Sequence, residues 1–168
     1  VSDRQVDLIQ EGVDCVIRTG ELNNSSLVAR PLGRFRWVTC ASPDYLREYG
    51  VPPSPEALSK HRAVHYFSGQ ARRTDEFRFV RHGETFSVPV SCNAAVNEPG
   101  LYIKMCLAGF GLAQLAENIV ADHLQEGRLV EVLTDWQPPP VPVTLLYPHQ
   151  RFLSPAVRAF AEWMSEVV

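Results

Sequence analysis

Lysine is almost missing from this sequence: only Lys60 and Lys104 occur, and the other basic residues are arginines scattered along the chain. A surface that neutralises many phosphates needs Lys and Arg gathered on it. With 16 basic residues against 19 acidic ones and a formal net charge of −3, this chain by itself is not expected to bind DNA. Its apolar stretches are too short to cross a bilayer as a helix, so no membrane partner is expected. The opening Val1-Ser2-Asp3-Arg4 lacks the basic-then-apolar pattern of a signal peptide. A cytoplasmic location follows as the expectation.

Metal and redox chemistry find little support. The four cysteines, Cys15, Cys40, Cys92 and Cys106, lie far apart with no Cys-x-x-Cys, and three sit within apolar runs. That pattern fits buried thiols in a reducing compartment, not a disulfide framework or a zinc site. A redox pair of Cys92 with Cys106 is the alternative, but nothing nearby marks either thiol as activated. The five histidines, His61, His65, His82, His123 and His149, show no metal-ligand spacing, and no Gly-x-Ser-x-Gly elbow occurs. No metal, cofactor or catalytic residue is expected. His65 reads as a satisfied, half-buried side chain, Asp14 beside Cys15 as structural, and Trp37, Trp136 and Trp163 as core or interface anchors.

What is present is ordinary for a globular domain: 168 residues, 45% apolar and 21% charged, enough to bury a real core. Ser2, Gln5 and Gly12 bracket an opening helix. Residues 13–18 read as a strand ending in Thr19-Gly20, followed by the polar loop Asn23-Asn24-Ser25-Ser26. Residues 27–32 are extended and 35–41 form a strand. Ser42, Pro43, Asp44 and Gly50 then cap, start, polarise and close a helix. Ser54-Pro55-Glu56 repeats that grammar. Residues 63–67 are an apolar strand, and residues 77–81 and 85–90 flank His82-Gly83-Glu84 as a hairpin. Strand 92–96, helix 98–107, the turn Gly109-Phe110-Gly111, strand 112–115, helix 116–125 and strand 128–133 follow. After the stiff Pro138-Pro139-Pro140 come strand 141–147 and a last helix capped by Ser154. That helix carries Val157, Phe160, Ala161, Met164 and Val167 along one face. Strands alternating with helices predict an α/β fold with largely parallel pairing.

Several strings carry a resemblance when taken in order: Val6-Asp7-Leu8-Ile9, Glu11-Gly12-Val13-Asp14, Ile17-Arg18-Thr19-Gly20-Glu21-Leu22 and Ser25-Ser26-Leu27-Val28-Ala29-Arg30-Pro31-Leu32. Downstream stand Ala41-Ser42-Pro43-Asp44-Tyr45-Leu46, Leu107-Ala108-Gly109-Phe110-Gly111-Leu112-Ala113, Gly127-Arg128-Leu129-Val130 and Tyr147-Pro148. Each string is weak alone. Together, over the whole chain, they resemble the effector-binding domain of LysR-type transcriptional regulators.

That resemblance implies two Rossmann-like lobes of the type-2 periplasmic-binding-protein architecture, with a ligand cleft between them. It places residues 1–61 and 149–168 in lobe one and 62–148 in lobe two. It also implies that lobe one lacks its first strand and helix here, and that the DNA-binding domain stands outside the chain. The expected partners are a small-molecule effector (a carboxylate or an aromatic metabolite), further copies of the chain as a homodimer or tetramer, and DNA only through the missing N-terminal domain.

Ligands of open α/β sheets gather where loops leave the carboxyl ends of strands. Thr19 and Gly20 end one such strand, where a hydroxyl and a closely approachable backbone suit a ligand; a plain turn is the bland alternative. Tyr66, Phe67 and Ser68 end another, and aromatic faces with a hydroxyl suit an apolar body carrying a polar group, unless both rings are core. Asn97 and Glu98 open a helix whose free amides would hold an anion. Glu98 argues against that use, leaving a cap or a contact to an amine or hydroxyl. Gly111 lets the chain turn tightly beside the cleft and lacks the third glycine of a dinucleotide fingerprint.

A stand-alone solute-binding protein of the same architecture and a hydrolase on a related scaffold are the competing readings. The first needs a secretory signal and a transporter, the second a nucleophile–base pair that the sequence does not offer.

Overall fold

The computed structural model describes residues 13–20, 27–67, 76–148 and 154–167. The opening helix, the Asn23–Ser26 loop, Ser68, the loop that follows it and His149 lie outside the described residues. The elements in order are β1 (Val16–Thr19), β2 (Leu27–Phe35), β3 (Trp37–Ala41), α1 (Pro43–Tyr49), a 3-10 stretch (Pro55–Lys60), β4 (Arg62–Tyr66), β5 (Glu76–Arg81), β6 (Glu84–Pro89) and β7 (Ser91–Val96). Then come α2 (Pro99–Leu107), β8 (Ala113–Ala116), α3 (Glu117–Gln125), β9 (Val130–Val132), β10 (Val141–Pro148) and α4 (Pro155–Val167).

Local chemistry accounts for most boundaries. At α1 the Ser42 hydroxyl accepts the Tyr45 amide (3.3 Å), Pro43 opens the helix, and Gly50 closes it at φ 80° with its N–H on the Leu46 carbonyl. Ser54 makes no such cap, and the segment behind it settles into a 3-10 stretch instead of an α-helix. His82 and Gly83 both adopt positive φ (52° and 83°), which a two-residue hairpin turn of matching twist requires. Ser154 accepts the Val157 amide (3.2 Å) to start α4, whose Val157 and Ala161 are buried.

The chain divides into two compact units. The first comprises the described residues up to Phe35 and from Pro140 onward. Its sheet runs β1-β10-β2, antiparallel throughout. Leu32, Val143, Leu145 and Ala161 form its core, with Phe160 and Met164 of α4 packed against them. The strand pairing slips between Val143 and Thr144, leaving Leu32 as the extra residue of a bulge.

The second unit spans Arg36–Pro139. One sheet orders β8-β3-β9 antiparallel, and β4 pairs with β7 in parallel. A parallel bridge between Ala63 and Leu112 joins them: Leu112 N donates to Arg62 O and Val64 N to Leu112 O, both at 2.9 Å. The β5–β6 hairpin is fastened by Gln114, whose side chain pairs with the backbone of Arg78 as a neighbouring strand would. Its Oε1 accepts Arg78 N (3.2 Å) and its Nε2 donates to Arg78 O (2.9 Å).

One expectation differs from what is observed. Among the described residues β4 with β7 is the parallel strand pair and the other strand pairs are antiparallel. The compact units divide at Phe35/Arg36 and Pro139/Pro140; the lobe boundaries that the resemblance implies, 61/62 and 148/149, are a separate expectation. The junction at Arg36 follows from β3, whose hydrogen bonds go to β8 and β9, both inside the second unit.

Where the 3-10 stretch enters β4, the buried Tyr45 hydroxyl accepts the Arg62 amide (2.9 Å) and lies 3.2 Å from both the Arg62 carbonyl and His61 Nδ1. His61 is buried, and loss of solvent lowers its pKa from the ordinary 6.5. The folded state therefore binds its proton less readily than the unfolded chain, so His61 costs no stability above pH 6.5 and costs progressively more as pH falls through 6.5 toward the lowered value. Urea midpoints are expected to fall between about pH 7.5 and pH 5.5, and His61→Gln to flatten that fall.

Gly111 generates a second expectation. A Cβ there would stand 2.6 Å from the Arg62 carbonyl oxygen, at φ 154°, so Gly111→Ala must push two paired strands apart. The expected loss is about 2–3 kcal/mol. Gly83→Ala, with φ 83° but open space around it, should lose only about 1 kcal/mol. Urea unfolding at constant m-value checks both.

Candidate functional site

Parallel pairing of β4 with β7 (Tyr66 opposite Val96) brings the carboxyl ends of the two strands side by side. Tyr66, Phe67, Asn97 and Glu98 therefore gather at one place. Phe67 N donates to Val96 O (2.9 Å) and the Tyr66 hydroxyl reaches Asn97 O (3.4 Å). Tyr66 and Phe67 are both half-buried. Behind Tyr66 lies Tyr102 of α2, with ring centroids 5.6 Å apart. The Tyr102 hydroxyl accepts Gln114 N and donates to Gln114 O, each at 3.1 Å. Burial raises the Tyr102 pKa far above its usual value, so this phenol stays neutral.

Glu98 is the N-cap of α2. Its carboxylate accepts the amides of Gly100 (2.9 Å) and Leu101 (2.6 Å), and those two bonds hold its pKa below the ordinary 4.5. The amides that would have received a ligand anion are thus already engaged by the protein's own carboxylate. What the cluster offers outward is acceptors (Glu98 oxygens and the Asn97 carbonyl) beside two aromatic rings. Such a surface receives a ligand's hydroxyl, amine or amide protons and stacks against a flat body.

The remaining expected residues are placed differently. Thr19 ends β1 with its side chain exposed, but the Gly20 amide, which would approach a ligand, donates instead to Pro142 O (2.9 Å). A Cβ on Gly20 would meet nothing within 4 Å; its φ of 94° is what calls for glycine. Gly111 stands at the amino end of β4, against Arg62 and Ala63, away from the Tyr66 end of that strand. Strand packing accounts for it. Ser68 lies outside the described residues. Tyr102, Gln114 and Gly100 escaped sequence reasoning. A Cβ at Gly100 would come within 3.2 Å of the Glu98 carboxylate, and Glu98-Pro99-Gly100 was the available signal for a self-capped helix.

Among the described residues no group of three or more His, Cys, Asp or Glu side chains could hold a metal ion. The described cysteines are free thiols. Cys106 donates to the Cys40 carbonyl (3.6 Å), and its pKa is raised by its contact with Cys40 and by burial. His65, buried more deeply than expected, places Nε2 3.1 Å from Val90 O and meets Phe77 edge-on. No helix among the described residues is long and apolar enough to cross a membrane.

Comparison with known proteins gives a consistent set of relatives. The LysR substrate binding domain family matches residues 1–168. The chain is 37% identical over 166 residues to an uncharacterized HTH-type transcriptional regulator of Escherichia coli, YhjC, covering 99% of this chain and 56% of that protein. An HTH-type transcriptional repressor of Pseudomonas aeruginosa is also 37% identical over 166 residues, with coverage of 99% and 52%. The chain thus spans about half the length of these relatives. Among solved structures, the regulatory domain of CrgA, a LysR-type transcriptional regulator from Neisseria meningitidis, superposes with a TM-score of 0.80 at 26% identity, over 96% of this chain and 78% of that one.

The Glu98 cap is directly checkable. In an NMR pH titration the Gly100 and Leu101 amides should shift together with an apparent pKa below 4.5, and Glu98→Gln should abolish that titration. Amide shifts that titrate at or above the ordinary value would remove the cap from the account.

Proposed function

This chain belongs to the LysR substrate-binding-domain family, the regulatory effector-binding part of LysR-type transcription regulators, and we propose that it senses its effector at the carboxyl ends of β4 and β7. Tyr66 and Phe67 take the flat or apolar body, Glu98 and the Asn97 carbonyl accept the ligand's protons, and Ser68, next in the sequence, is assigned to the same site as a hydroxyl donor. The observation that carries this reading is the Glu98 carboxylate bonded to both Gly100 and Leu101 amides. It turns a donor site into an acceptor site, and so favours an aromatic effector bearing hydroxyl, amine or amide groups over a simple carboxylate.

In the whole protein, this domain would act on a DNA-binding helix-turn-helix segment, as the HTH-type names of its relatives suggest, within a homodimer or tetramer. An effector changes the regulator's output only by binding one arrangement of the protein more tightly than another. Two arrangements with a few-fold difference in effector affinity are enough to alter how the subunits present their DNA-binding segments.

The test is thermal unfolding of the chain with phenols, aromatic amines and benzoates as separate series. A ligand at about one hundred times its Kd adds about 2.7 kcal/mol to stability, a clear rise in Tm. The rise is expected with phenols or amines, and is expected to shrink in Tyr66→Leu and Ser68→Ala without a change in the unliganded Tm of Ser68→Ala. If benzoates stabilise the protein most, or neither substitution alters the response, the assignment of this cluster is wrong.

A further inference from the structure

A concavity of about 620 Å³ lies wholly within the second unit and shares no lining residue with the strand-end cluster. Three segments build it: Glu56 on the 3-10 stretch, Val80-Arg81-His82 where β5 enters its turn, and Asp135-Trp136 beyond β9. Its size falls within the range of small-molecule sites, about 300–1,000 Å³.

The backbone around it is held in place. His82 (φ 52°) and Leu133 (φ 56°) are the two non-glycine residues with positive φ among the described residues; His82 lines this cavity, and Leu133 stands two residues before the lining Asp135. An L side chain resists that conformation, so each is kept there by its surroundings. Leu133 starts the turn that presents Asp135 and Trp136, closed by Trp136 N to Leu133 O (2.8 Å). Gln137 Nε2 donates to Thr134 O (2.6 Å), while Gln137 O accepts Val80 N (2.9 Å) and fastens the turn to β5.

The polar groups are of both signs. Arg81 and His82 supply donors from the hairpin, while Glu56 and Asp135 supply carboxylates from the other two segments. Among the described residues, Arg81, His82 and Asp135 form no side-chain hydrogen bond and no ion pair within 4.0 Å, while the Glu56 carboxylate is held below its ordinary pKa by Ser54, by its own backbone amide and by the charge of Arg81. A purely anionic ligand would meet the two carboxylates, and a purely cationic one would meet the guanidinium. Val80 and the half-buried Trp136 add apolar wall.

We propose that this cavity is a second ligand site, taking a small zwitterion with an apolar or aromatic body, of the α-amino-acid class. Its carboxylate lies toward Arg81 and His82, its ammonium toward Glu56 and Asp135, and its side chain on Trp136.

L-Phenylalanine is the probe, read by the Trp136 indole N–H signal of the ¹⁵N-labelled 168-residue chain, assigned by its loss in Trp136→Phe. A saturable shift is expected. Phenylacetate and phenethylamine, each lacking one charge, should bind about fivefold more weakly. Arg81→Ala and Asp135→Asn, checked for unchanged spectra elsewhere, should each weaken L-phenylalanine by about the same factor. Tyr66→Leu should leave the shift intact, separating this site from the effector cluster. An indole signal unmoved at about 10 mM, equal binding of the two half-charged probes, or full binding by both charge variants overturns the proposal.

Discussion

Two backbone hydrogen bonds across the Ala63–Leu112 bridge, each 2.9 Å long, tie the β4–β7 pair to the β8-β3-β9 sheet. They hold β4 beside the residue that leads into β8. The contact is so close that position 111 has no room for a side chain. At the same residue the Tyr45 hydroxyl accepts the Arg62 amide, so α1 is registered against β4 as well. Leu112 beside the bridge is fully buried. Because β4 and β7 run parallel in this arrangement, Tyr66 and Asn97 emerge at one end and Gly111 is confined to the other.

Much of this was legible beforehand where a side chain closes on its own neighbourhood. Ser42, Ser154, Gly50 and the His82-Gly83 turn act over three or four residues, and their geometry follows from residue type and spacing alone. The partners of a strand are set at long range, and there the reading failed. Alternation of strand and helix suggested parallel pairing, yet β10 returns antiparallel to both β1 and β2. Nothing in residues 35–41 reveals that β3 is claimed by β8 and β9. The candidate site divides in the same way. Tyr66, Phe67, Asn97 and Glu98 were found from strand ends and a helix start, whereas Tyr102 and Gln114, which brace them, are visible only once α2 and β8 pack together.

The polar accounting of the strand ends has a direction. Every backbone donor that glycine or a helix start was expected to offer is already spent: Gly20 on Pro142, Phe67 on Val96, Gly100 and Leu101 on Glu98. Buried or half-buried amides seldom go unpaired, and here the protein pairs them internally. At α2 the group that occupies those amides is Glu98, one carboxylate at one helix start.

Cys40 and Cys106 sit fully buried on facing elements, Cys40 on β3 and Cys106 on α2, with the Cys106 thiol donating to the Cys40 carbonyl and its ionisation suppressed. A thiol reagent attacks the thiolate and needs access, so neither sulfur reacts while α2 lies on β3. Reaction must then wait for α2 to lift, which turns these two atoms into a clock for the spontaneous opening of the second unit's core. Because α2 also carries Glu98 and braces Tyr66, that clock times the same motion that would dismantle the ligand cluster, without any label having to be added to the molecule.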